Sequence, residues 1–181
     1  MTQTDVVWTL AELDRLPDDG NKYELVDGAL FVTPAPSPAH ESLGSELHTI
    51  LDPYVRAQRI GKVFRPRAVV RVDGSEVEPD IMVRPNTPSI PSTWELAPIP
   101  LLVVEIASRT TRLRDHAQKR EFYLRCGVAQ YWIVDGERRT IRVVAPNADD
   151  VVVENEMVWQ PAGASAALTI DVAAYFREAL G

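Results

Sequence analysis

The segment that most constrains the fold of this chain is residues 101–108, an apolar run with one acidic residue inside it. Six of its eight residues are large apolar residues or alanine, and polar residues do not alternate with them. This pattern predicts a strand that is covered on both faces. Because burying an unpaired carboxylate is costly, Glu105 is expected to have either a partner charge or a metal ion beside it.

A second acidic residue, Asp80, interrupts the apolar stretch at residues 77–83, which also predicts a strand. If this strand lies next to the Glu105 strand, the two carboxylates can meet at one end and share a hard cation, Mg²⁺ or Mn²⁺. Such a cation would polarise a phosphodiester and lower the pKa of an attacking water. The two acids therefore suggest a hydrolytic metal site.

Residues 112–126 predict a helix, and residues 130–134 predict a strand after it. A strand–helix–strand unit is a right-handed crossover, so the strands of Glu105 and Trp132 are expected to be parallel. The helix carries Lys119, the candidate cation of the site. At about 100° per residue, one polar face spans an arc of about 60°; its members are Arg112, His116, Lys119 and Tyr123. A different face is expected to pack on the sheet; it consists of Leu113, Ala117 and Leu124.

Local signals predict several further elements. Thr9 and Glu12 form a capping-box pattern for a short helix. Asp27-Gly28 between two apolar runs predicts a β-hairpin. Ser37 or Ser42 is expected to cap the following helix, and Thr169 or Asp171 the last one. Three segments predict a peripheral antiparallel addition: residues 141–145, 151–153 and 157–159.

Length and composition indicate an ordinary globular protein. The 181 residues predict one domain spanning 1–181. A single cysteine, Cys126, excludes an internal disulfide and suits a reducing compartment. No signal peptide and no membrane-spanning apolar stretch is visible, so a cytoplasmic protein without membrane contact is expected.

The net charge of −7 argues against a polyanionic partner, but its distribution argues for one. Residues 53–72 hold six basic side chains and no acid, and residues 109–125 hold six against two acids. These two basic segments flank the proposed site, although they are equally compatible with a solvated surface. The candidate contacts to nucleic acid are Arg67, Arg71, Ser108, Arg112 and Arg114.

The ordered set of motifs resembles the restriction endonucleases of the Uma-two group, within the PD-(D/E)XK nuclease superfamily. The motifs are residues 23–28, 36–40, 78–83, 103–111 and 131–135, together with Asp115-x-x-x-Lys119-x-x-x-Tyr123-x-x-x-Gly127. The resemblance implies an α/β fold of the mixed α+β type. Its restriction-endonuclease-like core would have a central mixed β-sheet flanked by helices, with N-terminal and C-terminal antiparallel strands.

The resemblance also assigns roles. Asp80 is the motif aspartate, Glu105 the second acid and Glu24 an additional acid at the site. The superfamily places a lysine two positions after the second acid, where this chain has Ala107. In this group the lysine comes from the following helix, which matches Lys119.

The function implied is that of a Mg²⁺-dependent endodeoxyribonuclease acting on DNA as a homodimer. A catalytically silent binding or assembly module with the same fold, and a hydrolase of small phosphorylated substrates, are the alternatives. The site residues also have structural interpretations. Glu105 would then pair with an arginine such as Arg67 or Arg71, and Glu24 with a cation across its hairpin. His40 and His116 show no ligand spacing.

Overall fold

The computed structural model describes residues 7–107 and 114–181, which form three β-sheets and four α-helices. The helices are α1 (Leu10–Leu13), α2 (Pro38–Gln58), α3 (Arg114–Arg125) and α4 (Val172–Leu180). The strands are β1 (Lys22–Val26), β2 (Ala29–Thr33), β3 (Gly61–Phe64), β4 (Val70–Val72), β5 (Ser75–Val77), β6 (Ile81–Pro85), β7 (Leu102–Ile106), β8 (Gln130–Asp135), β9 (Thr140–Val144), β10 (Val151–Val153), β11 (Glu156–Trp159) and β12 (Leu168–Asp171). A short 3₁₀ helix spans Trp94–Leu96.

The central sheet has six strands in the order β10-β9-β8-β7-β6-β3. Strands β7 and β8 are parallel and α3 connects them, whereas the other neighbouring pairs are antiparallel. The mixed central sheet and the parallel pairing of the Glu105 and Trp132 strands are therefore confirmed. All five residues of β7 are buried, as expected of a strand covered on both faces.

A four-stranded antiparallel sheet, in the order β2-β1-β5-β4, holds the predicted hairpin. Asp27 and Gly28 both have positive φ, 50° and 80°, which is the conformation that a two-residue hairpin turn requires. The prediction of one strand over residues 77–83 is wrong. Proline has no N–H for a ladder, and Pro79-Asp80 separates β5 in this sheet from β6 in the central one.

Helices α2 and α4 pack together and cover one face of the central sheet. Ser37 caps α2 by accepting a hydrogen bond from the His40 N–H, and Asp171 caps α4 in the same way. The C-terminal prediction is partly wrong. Strands β9 and β10 extend the central sheet, whereas β11 pairs with β12, which the sequence did not indicate.

The residues between α2, α4 and the central sheet form one hydrophobic core, and helix α3 packs into a second one between the two larger sheets. Phe122 and Tyr123 are buried there, next to Tyr131 of β8. The expected packing face of α3 is only partly observed. Leu124 is half-buried against this core, but Ala117 is exposed, and Leu113 lies outside the described residues. The face that carries Lys119 and Tyr123 points inward instead, because the sheets offer this lysine carboxylate partners.

The aromatic core above the central sheet allows a first test. Trp159 of β11 is buried between Tyr54 and Trp132, at ring-centroid distances of 5.7 and 5.6 Å. We expect Trp159→Ala to lower the free energy of unfolding by about 3–5 kcal/mol, measured by urea denaturation. The adjacent Val158 is exposed, so Val158→Ala should change it by less than about 0.5 kcal/mol. Equal effects of the two substitutions would contradict this packing.

Across the two described ranges, none of the helices is both long enough and apolar enough to cross a membrane.

Candidate active site

The four predicted site residues lie around one cavity of about 660 Å³, between the four-stranded sheet, the central sheet and the first turn of α2. Each comes from a different region of the chain. Glu24 lies on β1, Asp80 precedes β6, Glu105 lies on β7 and Lys119 on α3. All four side chains are buried.

Lys119 bridges two of the acids. Its Nζ lies 2.8 Å from Glu24 Oε2 and 3.0 Å from Glu105 Oε1. The Tyr123 hydroxyl, one helical turn further along α3, donates a hydrogen bond of 2.8 Å to the same Glu105 oxygen. The lysine is only 6% exposed, so it is not a solvated surface residue.

Asp80 lies beside this group. Strands β6 and β7 pair Ile81 with Val104, so the antiparallel register places Asp80 across from Glu105. The Ile106 N–H donates a hydrogen bond of 2.7 Å to Asp80 Oδ2, which fixes the carboxylate at the end of β7.

Two further side chains contact Asp80, and the sequence interpretation did not assign either to the site. Lys22 Nζ lies 3.4 Å from Asp80 Oδ1 and donates a 3.0 Å hydrogen bond to the Glu78 carbonyl. His40 Nε2 lies 3.2 Å from Asp80 Oδ2. For Lys22 a signal existed, because residues two apart in a strand share a face and Lys22 precedes Glu24 by two. His40 gave no comparable signal.

The charges at the site are strongly coupled. Burial opposes the charged form of Lys119, but the carboxylates of Glu105 and Glu24 outweigh burial and raise its pKa. The pKa of Lys22 is raised against burial in the same way, by Glu105, Glu24 and Asp80. Both lysines are therefore cationic at neutral pH.

The pKa of Asp80 is lowered, whereas those of the two lysines are raised. Burial favours its neutral form, but the hydrogen bond from His40 and the charge of Lys22 hold the pKa of Asp80 well below its ordinary value. For His40, burial favours the neutral ring, yet the hydrogen bond and charge of Asp80 raise its pKa. The Asp80 carboxylate is thus ionised, with Lys22 beside Oδ1 and His40 beside Oδ2.

The structural partners expected for the two glutamates differ from those observed. Glu105 pairs with Lys119 and not with Arg67 or Arg71. Glu24 faces Phe31 across its hairpin and pairs with the lysine of α3 instead of a cation on β2. Glu24 Oε1 accepts hydrogen bonds of 2.9 Å from both Lys119 Nζ and the Glu78 N–H, which fixes the carboxylate.

The predicted nucleic-acid contacts lie at different places. Arg67 is exposed and lines the cavity, with Asp18 as its nearest acidic partner. Arg71 lies outside the cavity lining, and its guanidinium is paired with three carboxylates: Asp14, Glu76 and Glu95. Ser108, Arg112 and the Arg114 side chain lie outside the described residues.

The donor set suits a hard divalent cation. Asp80 and Glu105 offer carboxylate oxygens, and Mg²⁺ binds proteins through one or two carboxylates, with waters and substrate phosphates completing its coordination. Among the described residues, no group of three or more His, Cys, Asp and Glu side chains converges on one point. Three buried carboxylates face two ammonium groups, and His40 lies beside Asp80. The residues present therefore fit Mg²⁺ or Mn²⁺.

The fold matches that of a solved structure. A crystal structure described as a putative nuclease belonging to DUF820, from Anabaena variabilis, matches this chain with a TM-score of 0.82 and 23% sequence identity. The match covers 96% of this chain and 99% of that chain. The profile of the Uma2 family, described as "Putative restriction endonuclease", matches residues 10–173. The chain belongs to the Uma2 family, which confirms the resemblance seen in the sequence. No curated protein matches it.

Proposed function

We propose that this protein is a metal-dependent endonuclease that hydrolyses DNA phosphodiester bonds at the Asp80–Glu105 site. The observation that carries the proposal is the lysine of α3 buried between Glu24 and Glu105, beside an ionised Asp80, in a member of a nuclease family. Lys119 on α3 would supply the positive charge that the superfamily takes from a lysine two positions after the second acid, where this chain has Ala107.

Asp80 and Glu105 would hold Mg²⁺ or Mn²⁺ through their carboxylates. When bound, the metal ion polarises the scissile phosphate and activates a water. Lys119 would offset negative charge that builds on the phosphate in the transition state, since a preorganised cation in a buried site needs no reorganisation. Glu24 fixes the position of the Lys119 ammonium, and Tyr123 fixes Glu105.

The cation is tested by substituting Asp80. Asp80→Asn keeps an oxygen acceptor for the Ile106 N–H but removes the charge. We expect Mn²⁺ to raise the melting temperature of the wild-type protein, because it binds only the folded site, and to leave that of Asp80→Asn unchanged. Cleavage of supercoiled DNA should be lost in parallel.

Asp52→Asn is the matched control, because Asp52 lies on α2 outside the cavity lining and pairs with Arg56. This variant should keep both the Mn²⁺ shift and cleavage. A wild-type protein without a metal-induced shift, or an Asp80→Asn variant that retains it, would contradict the shared site. Cleavage of a small phosphodiester without cleavage of DNA would point to a small phosphorylated substrate instead.

The second candidate is a catalytically silent binding or assembly module with the same fold. It is favoured by the ion pairs of the site, because Lys119 and Lys22 already neutralise much of the carboxylate charge that a metal would use. Calorimetric titration with Mn²⁺ separates the two functions, since a silent module need not bind the cation.

We further propose that the protein acts in the cytoplasm as a homodimer. A homodimer has two copies of the site, one for each strand of a duplex. The half-buried Cys126 thiol suits a reducing compartment such as the cytoplasm. Analytical ultracentrifugation with and without duplex DNA measures the oligomeric state.

A further inference from the structure

A second cavity, of about 610 Å³, lies at the other end of β6 from Asp80. It is enclosed by β3, the end of β6 and the loop that leads to the 3₁₀ helix, and it shares no lining residue with the candidate active site. Its volume falls within the range of about 300–1,000 Å³ that is usual for small-molecule sites. Pro88 and Pro91 restrict the backbone of its loop wall.

A buried cation without an acidic partner borders this cavity. Arg84 is 4% exposed, and its guanidinium donates hydrogen bonds to the carbonyls of Pro98 and Val69, while its Nε has no partner. Burial lowers the pKa of Arg84 to about 10, and no carboxylate of the described chain offsets this. Lys119, the other buried cation in the described ranges, is instead bridged by two carboxylates.

A second positive charge faces the same side. Strands β3 and β6 pair Lys62 directly with Arg84, and paired residues of an antiparallel ladder point to one face of the sheet. Lys62 is exposed, lines the cavity and forms no ion pair with any acid that the structure describes. No acidic residue is among the described residues that line the cavity. The cavity therefore carries about two positive charges in a protein of net charge −7.

Aromatic rings form the apolar wall. Trp94 is half-buried, lies 5.5 Å from the Arg84 guanidinium and meets Phe64 edge-to-face at 6.0 Å. A flat ring can stack on such a side chain. Two hydroxyl side chains on the loop wall, Ser89 and Ser92, add hydrogen-bond donors, whereas the Thr87 hydroxyl already donates to the Ser89 carbonyl.

We propose that this second cavity binds a nucleotide, with its phosphate at Lys62 under the charge of Arg84 and its base against Trp94. A phosphate monoester dianion matches the two positive charges, and an aromatic base matches the indole wall. The source is either a free mononucleotide or the terminal phosphate and first base of a DNA strand, since both present the same chemistry.

The test is calorimetric titration of the whole protein with deoxyadenosine monophosphate, in the presence of a metal chelator. We expect saturable binding at one site, with deoxyadenosine and inorganic phosphate each at least about tenfold weaker. Lys62→Gln should weaken nucleotide binding about tenfold, because it removes a charge-assisted contact on an exposed side chain. Trp94→Leu should weaken binding and remove any tryptophan fluorescence change.

Two variants serve as controls. Arg177→Gln removes one positive charge from the exposed face of α4, and Asp80→Asn alters only the candidate active site. Neither should change nucleotide affinity. The proposal is overturned if the nucleotide does not bind, if deoxyadenosine binds equally well, if Lys62→Gln binds like wild type, or if Asp80→Asn abolishes binding.

Competition by oligonucleotides identifies the source. If an oligonucleotide with a terminal phosphate displaces the mononucleotide and one with a terminal hydroxyl does not, the site holds strand ends. If neither displaces it, the site holds free nucleotide. Both results support the second cavity as a nucleotide site, whatever the activity of the Asp80–Glu105 site.

Discussion

Replacing Lys119 by alanine is expected to lower the rate of DNA cleavage by about two orders of magnitude or more without abolishing metal binding. The reason is that the ammonium of α3 stabilises charge in the transition state without being a metal ligand. Cleavage of supercoiled DNA at saturating Mn²⁺ gives the rate, and calorimetry gives the metal affinity. The cleavage rate and the metal affinity are measured under conditions in which circular dichroism shows that the variant is folded.

The neighbouring Gln118 provides the control, because Gln118→Ala shortens a half-exposed side chain on the same helix and should cut normally. A Lys119→Ala variant that cuts at the wild-type rate would remove this lysine from the mechanism. The double variant Lys119→Ala with Ala107→Lys should recover part of the activity, since Ala107 borders the cavity on the Glu105 side of β7. Full recovery is not expected, because the added lysine lacks the fixed partner that Glu24 provides.

The second large effect is on stability. Lys119→Met should lower the free energy of unfolding by about 3–5 kcal/mol, because methionine fills a similar volume but leaves Glu24 and Glu105 buried without their shared cation. Urea denaturation at neutral pH measures the loss.

The double variant Glu24→Gln with Lys119→Met isolates the charge effect. Removing one of the two stranded carboxylates should restore part of the lost stability, so the double variant should be more stable than Lys119→Met alone. The single variant Glu24→Gln completes the comparison. If the double variant loses as much stability as the two single variants together, Glu24 and Lys119 do not stabilise each other, contrary to their 2.8 Å contact.

Much of the fold was predictable because local chemistry determines it. Asp27-Gly28 determines the hairpin turn, Thr9 with Glu12 caps α1, and the strand–helix–strand order requires a parallel pair. The errors arose where a choice depended on distant partners. The pairing of β12 with β11 joins segments that carry little pattern of their own, and Pro79 directs one apolar stretch into two sheets.

The part of the candidate site that could be predicted from the sequence consists of the charged residues that lie inside apolar runs. Glu105 and Asp80 stand out because an acid in an apolar run needs a reason to be there. Lys22 shows only the strand face that it shares with Glu24, and His40 shows nothing, since a histidine in the first turn of a helix is an ordinary surface residue. Only the packing of the two sheets shows that both side chains reach Asp80.

The contact between Glu24 and Lys119 joins positions that are 95 residues apart, and it connects the four-stranded sheet to the crossover of the central one. Bringing such distant segments together requires closing a long loop, which costs conformational entropy. A nascent or partly unfolded chain therefore holds the acids and the lysine on separate elements. Under the proposed function, hydrolysis would require this contact, so a chain that has not yet formed it would carry the residues of the site without an assembled centre.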